Sequence, residues 1–439
     1  MKIMKFGGTS VGKPERMHQV KDLITRDNDK KIVVLSALSG TTNALVSIGE
    51  ALADANKDLA KEKIDALHQH YLTFYKQLLK SDAAQKKAEK IIKEHFEFLN
   101  ILLKISFNEA INRDILAQGE LLSTKLFYTL LGELQIPAVF LPALDFMSID
   151  ENSEPELPKI SEKLKAILAQ YPNERLFITQ GYICKNHRNE VDNLKRGGSD
   201  YTASLVAAAI NASVCEIWTD IDGMHNNDPR VVDRTRPIAE MSFDEAAELA
   251  YFGAKILHPA SIWPAQLYNV PVKLLNTMEP TAHGTLIKAE VETTGVKAIA
   301  AKDGITAIKI KSSRMLLAYG FLRRIFEVFE KYKTPIDMIT TSEVAVSVTI
   351  DDLSHLEQIQ AELESFGTVE IDRNQAIICV VGNKVAETKG AVQSVLDSLI
   401  DIPVRMVSFG GSKHNVSILV DAQYKTQALK SLNEGVFTW

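Results

Sequence analysis

The sequence predicts an α/β protein: a three-layer sandwich with a mainly parallel sheet between helices, followed by two small α+β modules. Three observations carry that reading. Apolar runs at residues 3–6, 31–37, 137–141, 175–183, 214–221 and 271–277 alternate with helical segments, the pattern of parallel strands joined by crossover helices. After about residue 292 shorter units replace it. Within them "GFLRRIFEVFEKYKTPIDMITTSEVAVSVTIDD" is echoed about 70 residues later by "GAVQSVLDSLIDIPVRMVSFGGSKHNVSILVDA", so one unit of helix, strand, turn, strand and helix is used twice.

In chain order, the first strand, in "MKIMKFGGTSVGK", runs into Gly7 and Gly8, which lack the β-carbons that would block an incoming group. Thr9 and Ser10 are placed to cap a following helix. Such a corner offers free N–H groups to an anion, although an ordinary strand-to-helix turn has the same composition. The second strand, "KIVVLSA", leaves through "LSGTTNA" into another helix. From about residue 43 to 134 the chain reads as a layer of long amphipathic helices, or a lid. Glu120, in "AQGELLSTKLF", belongs to it, and an exposed position is the default for such a residue. The strands "PAVFL", "RLFITQGYI", "VCEIWTDI" and "PVKLLNT" follow, with helices such as "SDYTASLVAAAI" and "SFDEAAELAYF" between them. In such sheets ligands sit beyond the carboxyl ends of the strands, where these polar turns fall.

The stretch richest in chemistry is "LKRGGSDYTASLVAAAI". Arg196, Gly197, Gly198, Ser199 and Asp200 stand where a loop becomes a helix, so N–H groups, helix dipole and guanidinium converge beside a carboxylate. That combination suggests a metal-phosphate centre; a simple helix cap is the plainer alternative. In "EIWTDIDGMHNNDPRVV" a strand ends at Thr219 and Asp220 and enters a loop with Asp222, His225, Asp228 and Arg230. Its spacing lacks the register of a calcium-binding EF-hand loop. "AYFGAKILHPA" offers Lys255 on a helix expected to stop near Pro259.

Composition narrows the classes further. With 439 residues, 46% of them hydrophobic, the chain can bury more than one core. A net charge of -6 argues against nucleic acid as a partner, so small molecules are expected. Cys184, Cys215 and Cys379 are too widely separated for a disulfide framework or a zinc site, which fits a reducing compartment. No leader precedes the first strand and no apolar run is long enough to span a bilayer, so no membrane role and a cytoplasmic location are expected. Walker, protein-kinase, dinucleotide and Ser-His-Asp signatures are all missing.

Taken together, "KFGGTSV", "GELLST", "RGGSDYTA", "WTDIDG", "DPR", "FGAKILHPA" and "ITTSEV" occur in the order and at the approximate spacing of one family. The chain resembles the aspartokinases, members of the amino-acid kinase family followed by two ACT domains. The likeness spans nearly the whole sequence; the end directly after the second repeat resembles the monofunctional enzymes, and the residues of the first repeat resemble the lysine-sensitive type. It implies an amino-acid kinase domain over 1–292, a first ferredoxin-like ACT unit over 300–373 and a second over 374–439, with a strand at about 296–312 shared between them. It also implies ATP-dependent phosphorylation of the side-chain carboxylate of L-aspartate to 4-phospho-L-aspartate, the entry to lysine, threonine and methionine synthesis. ATP would bring Mg²⁺; no prosthetic group and no direct metal motif are implied.

Carried over by motif, the resemblance assigns catalysis to Lys5, Asp200 and Lys255. ATP would be held by Lys5, Phe6, Gly7, Gly8, Thr219, Asp220, His225, Arg230, Lys255 and Ile256, with His225 standing where a tyrosine is expected. Aspartate would be held by Ser36, Thr42, Glu120, Arg196, Gly197, Gly198 and Ser199. L-lysine, as inhibitor, would contact Met315, Ala318, Phe321, Leu322, Pro335, Ile336, Asp337, Ser342 and Glu343. Ala318 replaces the serine of the lysine-sensitive pattern, so threonine stays open as the effector. A homodimer through the ACT units, or a larger assembly built on it, is implied. The chemistry agrees: an ionised carboxylate needs no general base, while phosphoryl transfer needs charge neutralisation and alignment. Glutamate 5-kinase and a non-catalytic ACT amino-acid sensor are the alternatives.

Overall fold

The computed structural model describes residues 1–194, 197–253, 257–312 and 319–437. Its chain forms two compact units, Met1–Met224 with Ile256–Ala289, and His225–Lys255 with Glu290–Trp439. The first unit opens with β1 (Lys2–Phe6), α1 (Gly8–Val11), α2 (Pro14–Thr25) and β2 (Lys31–Leu35). Four helices follow: α3 (Thr41–Ala53), α4 (Lys57–Leu78), α5 (Asp82–Leu102) and α6 (Glu109–Glu133). Next come β3 (Val139–Leu141), α7 (Ala143–Phe146), α8 (Leu157–Ala169), β4 (Leu176–Gln180), β5 (Ile183–Lys185), β6 (Val191–Asn193), α9 (Gly198–Ile210) and β7 (Cys215–Thr219). β8 (Glu240–Ser242) and α10 (Phe243–Tyr251) belong to the second unit, and the chain then returns to the first for α11 (Pro259–Leu267), β9 (Val272–Asn276) and β10 (Thr285–Lys288).

In the first unit the strands stand in the order β3-β4-β2-β1-β7-β9-β10. All are parallel except β10. The central strand β2, Lys-Ile-Val-Val-Leu, is buried along its whole length, as expected of a strand covered on both faces. The expected helical layer is present. Asn56, Ser81 and Asn108 cap α4, α5 and α6 with side-chain oxygens, and Tyr71, Phe74, Phe96, Leu126 and Phe127 pack the core beneath them.

Two local expectations fail. Thr9 and Ser10 are inside α1 rather than capping it, because the helix starts at Gly8 with Gly7 as its cap. Ser10 instead exchanges a 2.7 Å hydrogen bond with Thr277. The helix carrying "AYF" ends at Tyr251, and Pro259 begins the next one, where its missing N–H costs nothing.

The rest of the second unit comprises β11 (Gly295–Lys311), α12 (Phe321–Lys331), β12 (Ile339–Thr341), β13 (Ala345–Ile350), α13 (Leu356–Leu363), β14 (Thr368–Asn383), α14 (Ala391–Asp397), β15 (Val404–Phe409), β16 (Asn415–Asp421) and α15 (Lys425–Val436). Its sheet runs β12-β13-β11-β14-β16-β15 and is antiparallel throughout. β11 pairs along nearly its full length with β14, while β13 adds to the end of β11 and β16 to the end of β14. Two cores result. Phe321, Ile325 and Phe329 pack on Val346 and Val348, and Leu429 and Leu432 pack with Val416 and Ile418.

Among the described residues no helix is long and apolar enough to cross a membrane. The three cysteines are free and buried. Lys31 at the start of β2 is 1% exposed; its ammonium sits 2.6 Å from Asp27 Oδ1 and donates to the Ile24 carbonyl at 2.9 Å. The pair holds the Asp27 carboxyl well below the usual carboxylate range against the opposing effect of burial. Asp27→Ala should therefore strand a buried cation and cost roughly 3 kcal/mol in urea denaturation, whereas adding Lys31→Met should recover most of it. An Asp27→Ala protein as stable as wild type would show that the pair contributes nothing.

Candidate active site

β1, β2, β4 and β7 run in step: Phe6 stands opposite Leu35 and Trp218, and Leu35 opposite Gln180. Their carboxyl ends open on one crevice. β1 lies at its middle, with β2 on one side and β7 on the other, so the strand order reverses there. Lys5, Ser36, Gly181 and Thr219 all leave or flank this row of strand ends.

Lys5, near the end of β1, is 9% exposed, and its Nζ lies 2.7 Å from Asp200 Oδ1 in the first turn of α9. A β-carbon on Gly7 would come 3.3 Å from that ammonium. The Gly7 N–H donates to the Trp218 carbonyl at 3.3 Å, and the N–H groups of Gly8 and Thr9, first in α1, have no intrahelical acceptor. Gly197, at φ +65, caps α9, and a side chain there would collide with Ser261 Oγ at 2.2 Å. Glycine is thus required where the loop becomes a helix. Ser199 is buried and Gly198 half-buried beside it.

Glu120 is not on an exposed face: α6 buries it to 4% exposure beneath the exit of β2. Its Oε1 accepts from the Ala37 N–H at 3.2 Å, and Oε2 has no hydrogen-bond partner among the described residues. Burial pushes the carboxyl up to about 7; the Ala37 and Glu120 N–H groups and the Lys5 charge hold it from rising further. Ser123, one helical turn on, donates to the Ser36 carbonyl at 2.7 Å and so ties α6 to β2. Sequence reasoning passed over Ser123, although it stands in the same "GELLST" motif. Thr42 is exposed in the first turn of α3, whereas its neighbour Thr41 is buried against the Tyr71 hydroxyl at 3.1 Å.

Thr219 ends β7, and its hydroxyl donates to Asp220 at 3.1 Å. His225 and Arg230 belong to the second unit. There His225 Nδ1 is 3.2 Å from the Thr235 hydroxyl, and Arg230 grips Asp228 with two nitrogens, at 2.9 and 2.8 Å. Arg196, Lys255, Ile256, Met315 and Ala318 lie outside the described residues.

Of the expected effector residues, Phe321 is buried at the start of α12, behind Gly320 at φ +80, and Leu322 is exposed. Pro335, Ser342 and Glu343 are exposed and Ile336 is half-buried. Asp337 already has partners in the second unit: its Oδ1 accepts from Lys302 Nζ at 2.7 Å and from the Tyr251 hydroxyl at 3.0 Å. An incoming ammonium must compete with Lys302, which also reaches Asp351 at 2.8 Å.

An ion-paired lysine, glycine-rich loops and a carboxylate at a sheet's switch point make an anion site suited to phosphate. Sequence and structure comparisons bear on the family of the whole chain. The pattern of the amino acid kinase family matches residues 1–276, and that of the ACT domain matches 378–436. The chain is 33% identical to the lysine-sensitive aspartokinase 3 of Escherichia coli (strain K12), over 99% of each protein. It superposes with a TM-score of 0.83 and 32% identity, over 100% of both chains, on the crystal structure of E. coli aspartokinase III in complex with aspartate and ADP (R-state). The same figures hold for the E. coli complex with lysine and aspartate (T-state). On the motif order, the full-length identity and the shared fold, this chain belongs to the aspartokinases of the amino acid kinase family, with an ACT domain toward its C-terminus.

Proposed function

We propose that this protein transfers the γ-phosphoryl group of ATP to the side-chain carboxylate of L-aspartate, giving 4-phospho-L-aspartate and ADP. The observation that carries the reading is the Lys5–Asp200 ion pair at the switch point, within electrostatic range of the buried Glu120. Lys5 would neutralise charge on the β- and γ-phosphates, and the N–H groups of Gly8 and Thr9 would hold their oxygens. Lys255 would add a second positive charge. Glu120 would accept from the substrate ammonium while Arg196, Gly197, Gly198 and Ser199 grip a carboxylate. Thr219, Asp220, His225, Arg230 and Ile256 would complete the nucleotide site, and Ser36 and Thr42 the aspartate site. Mg²⁺ fits as an ion that enters with the nucleotide. Among the described residues no group of three acidic, histidine or cysteine side chains could hold a metal by itself, but Asp200 offers one carboxylate beside the phosphate loop. The ion would supply charge neutralisation on the transferring group.

Regulation by L-lysine is proposed for the ACT units, with Asp337 and Glu343 as the carboxylates for its ammonium groups. A homodimer is proposed through the same units: the edge strand β12 is exposed along its length, and Leu322, Phe326 and Val344 present apolar surface in the same module. A cytoplasmic location fits a reaction on ATP and a free amino acid.

Lys5→Ala and Asp200→Ala should each lower kcat at least ~100-fold, the order expected when charge stabilisation of a transferring phosphoryl group is lost. Coupled measurement of ADP release from ATP and aspartate checks this, and near-normal turnover in either variant would remove that residue from the centre. The raised Glu120 carboxyl sets a pH dependence. Burial favours its neutral form, so below about 7 it is protonated and cannot pair with the ammonium. kcat/KM for aspartate should accordingly fall about tenfold per pH unit below that point, and Glu120→Gln should flatten the profile at a low value. A wild-type profile that is level from pH 6 to 8 contradicts the role. Finally, L-lysine should inhibit, and Asp337→Ala should raise the half-inhibitory concentration at least ~10-fold with basal rate kept, as expected on losing a charge-assisted contact. Sedimentation equilibrium should find a dimer. Inhibition by threonine and not lysine would reassign the effector.

A further inference from the structure

Tyr182 leaves the carboxyl end of β4 at φ +66 and is the one aromatic residue among the described non-glycine residues at positive φ. The Ile183 N–H donates to the Gly181 carbonyl at 2.7 Å, which makes Tyr182 the centre of a three-residue turn of the rare positive-φ kind. A bulky side chain is held there only when its surroundings over-determine it, and such residues cluster at active sites. Here the constraints are visible. The Tyr182 N–H donates to Thr202 Oγ1 at 2.8 Å, its carbonyl accepts from the Leu194 N–H at 2.8 Å, and the Gly181 N–H is fixed on the Leu35 carbonyl at 2.9 Å. Gly181 passes so close to the start of α9 that a β-carbon would meet Ser199 Cβ and Oγ at 2.3 Å.

The turn sets the ring against the start of α9. Tyr182 Cδ2 lies 3.5 Å from where a Gly198 β-carbon would be, and the side chain is half-buried. Its phenol is pushed up to about 12, by burial first and then by the Glu120 carboxylate and Asp192, so it stays a donor at neutral pH. Among the described residues its hydroxyl has no hydrogen-bond partner. The ring therefore borders the loop proposed to grip one end of the substrate, and it lies within electrostatic range of the carboxylate proposed to hold the other end. We infer that Tyr182 is a substrate-binding residue that forms the side wall of the acceptor pocket, donates its hydroxyl to a substrate carboxylate, and selects a four-carbon over a five-carbon amino dicarboxylic acid. The inference rests on the aspartate kinase reading. One added methylene must bend into a ring whose backbone cannot yield, and pockets of fixed shape discriminate such a change by roughly 10- to 200-fold.

The test is steady-state ADP release by the full chain with aspartate or glutamate as acceptor, for wild type, Tyr182→Phe and Tyr182→Gly. The phenylalanine keeps the wall and loses the donor: KM for aspartate should rise about 5- to 10-fold, with kcat and KM for ATP within about twofold of wild type. Glycine suits the backbone and removes the wall. It should lower the aspartate-to-glutamate ratio of kcat/KM at least ~10-fold without reducing the melting temperature of the free protein. Aspartate KM and acceptor ratio unchanged in both variants overturn the inference, as does an equal loss for aspartate and ATP. Wild-type turnover with either of those results condemns the Tyr182 role alone, whereas a wild type that turns over no aspartate defeats the kinase reading and this inference with it.

Discussion

The first unit depends on one geometric constraint, the in-step parallel pairing of β1 with β2 and β7. Together with the in-step pairing of β4 on β2, it brings the last residues of four strands level with one another, so groups about 30, 180 and 210 residues from Lys5 in sequence meet at one rim. Each strand end then contributes a different chemistry: a cation from β1, backbone and hydroxyl groups from β2, a polar pair from β7. The Lys5–Asp200 pair ties this rim to α9, and Ser123 ties it to α6. A small change in register would misplace every one of these groups at once, because successive side chains of a strand point to opposite faces.

The electrostatics of the rim follow from burial. Glu120 is enclosed, with few backbone donors to offset its burial, and so sits near its neutral-to-ionised boundary. A carboxylate in that condition is held in reserve, and an incoming cation supplies the partner that its other oxygen lacks. Tyr182 borders the same space with a donor that does not titrate there. Substrate groups of opposite charge would thus find complementary partners already oriented before they arrive, which limits the ordering that binding has to impose.

Much of this was legible in the sequence because it depends on local pattern. Apolar runs bounded by Gly, Ser and Thr mark strand exits, and the helical layer, the repeat and the two modules emerge from periodicity alone. What escaped depends on tertiary contact. No local signal distinguishes Glu120 from an exposed helical glutamate; only the packing of α6 over β2 buries it. Asp337 is expected as an effector contact, yet in the structure it is paired with Lys302 of β11, a contact that periodicity does not specify. A tyrosine at positive φ has no propensity signature, since its conformation is imposed by Thr202, Leu194 and Leu35. The grouping of residues 225–255 with the second unit is likewise decided by contacts made far along the chain.

The long strands β11 and β14 carry a consequence of their own. The two repeated modules do not sit side by side as separable beads: each borrows one half of both strands, and β13 and β16 are added at opposite ends of the same ribbon. Removing either module would leave the other with an unpaired sheet edge and half an exposed core. The pair is therefore one interleaved structural element, in which neither repeat has a complete sheet of its own. A ribbon continuous through both cores is also stiff along its length. A displacement of the backbone at one end can dissipate only at the irregularities of the pairing, and the two consecutive register shifts between Lys302 and Ala307, near the middle of the ribbon, are where the two halves can turn against each other.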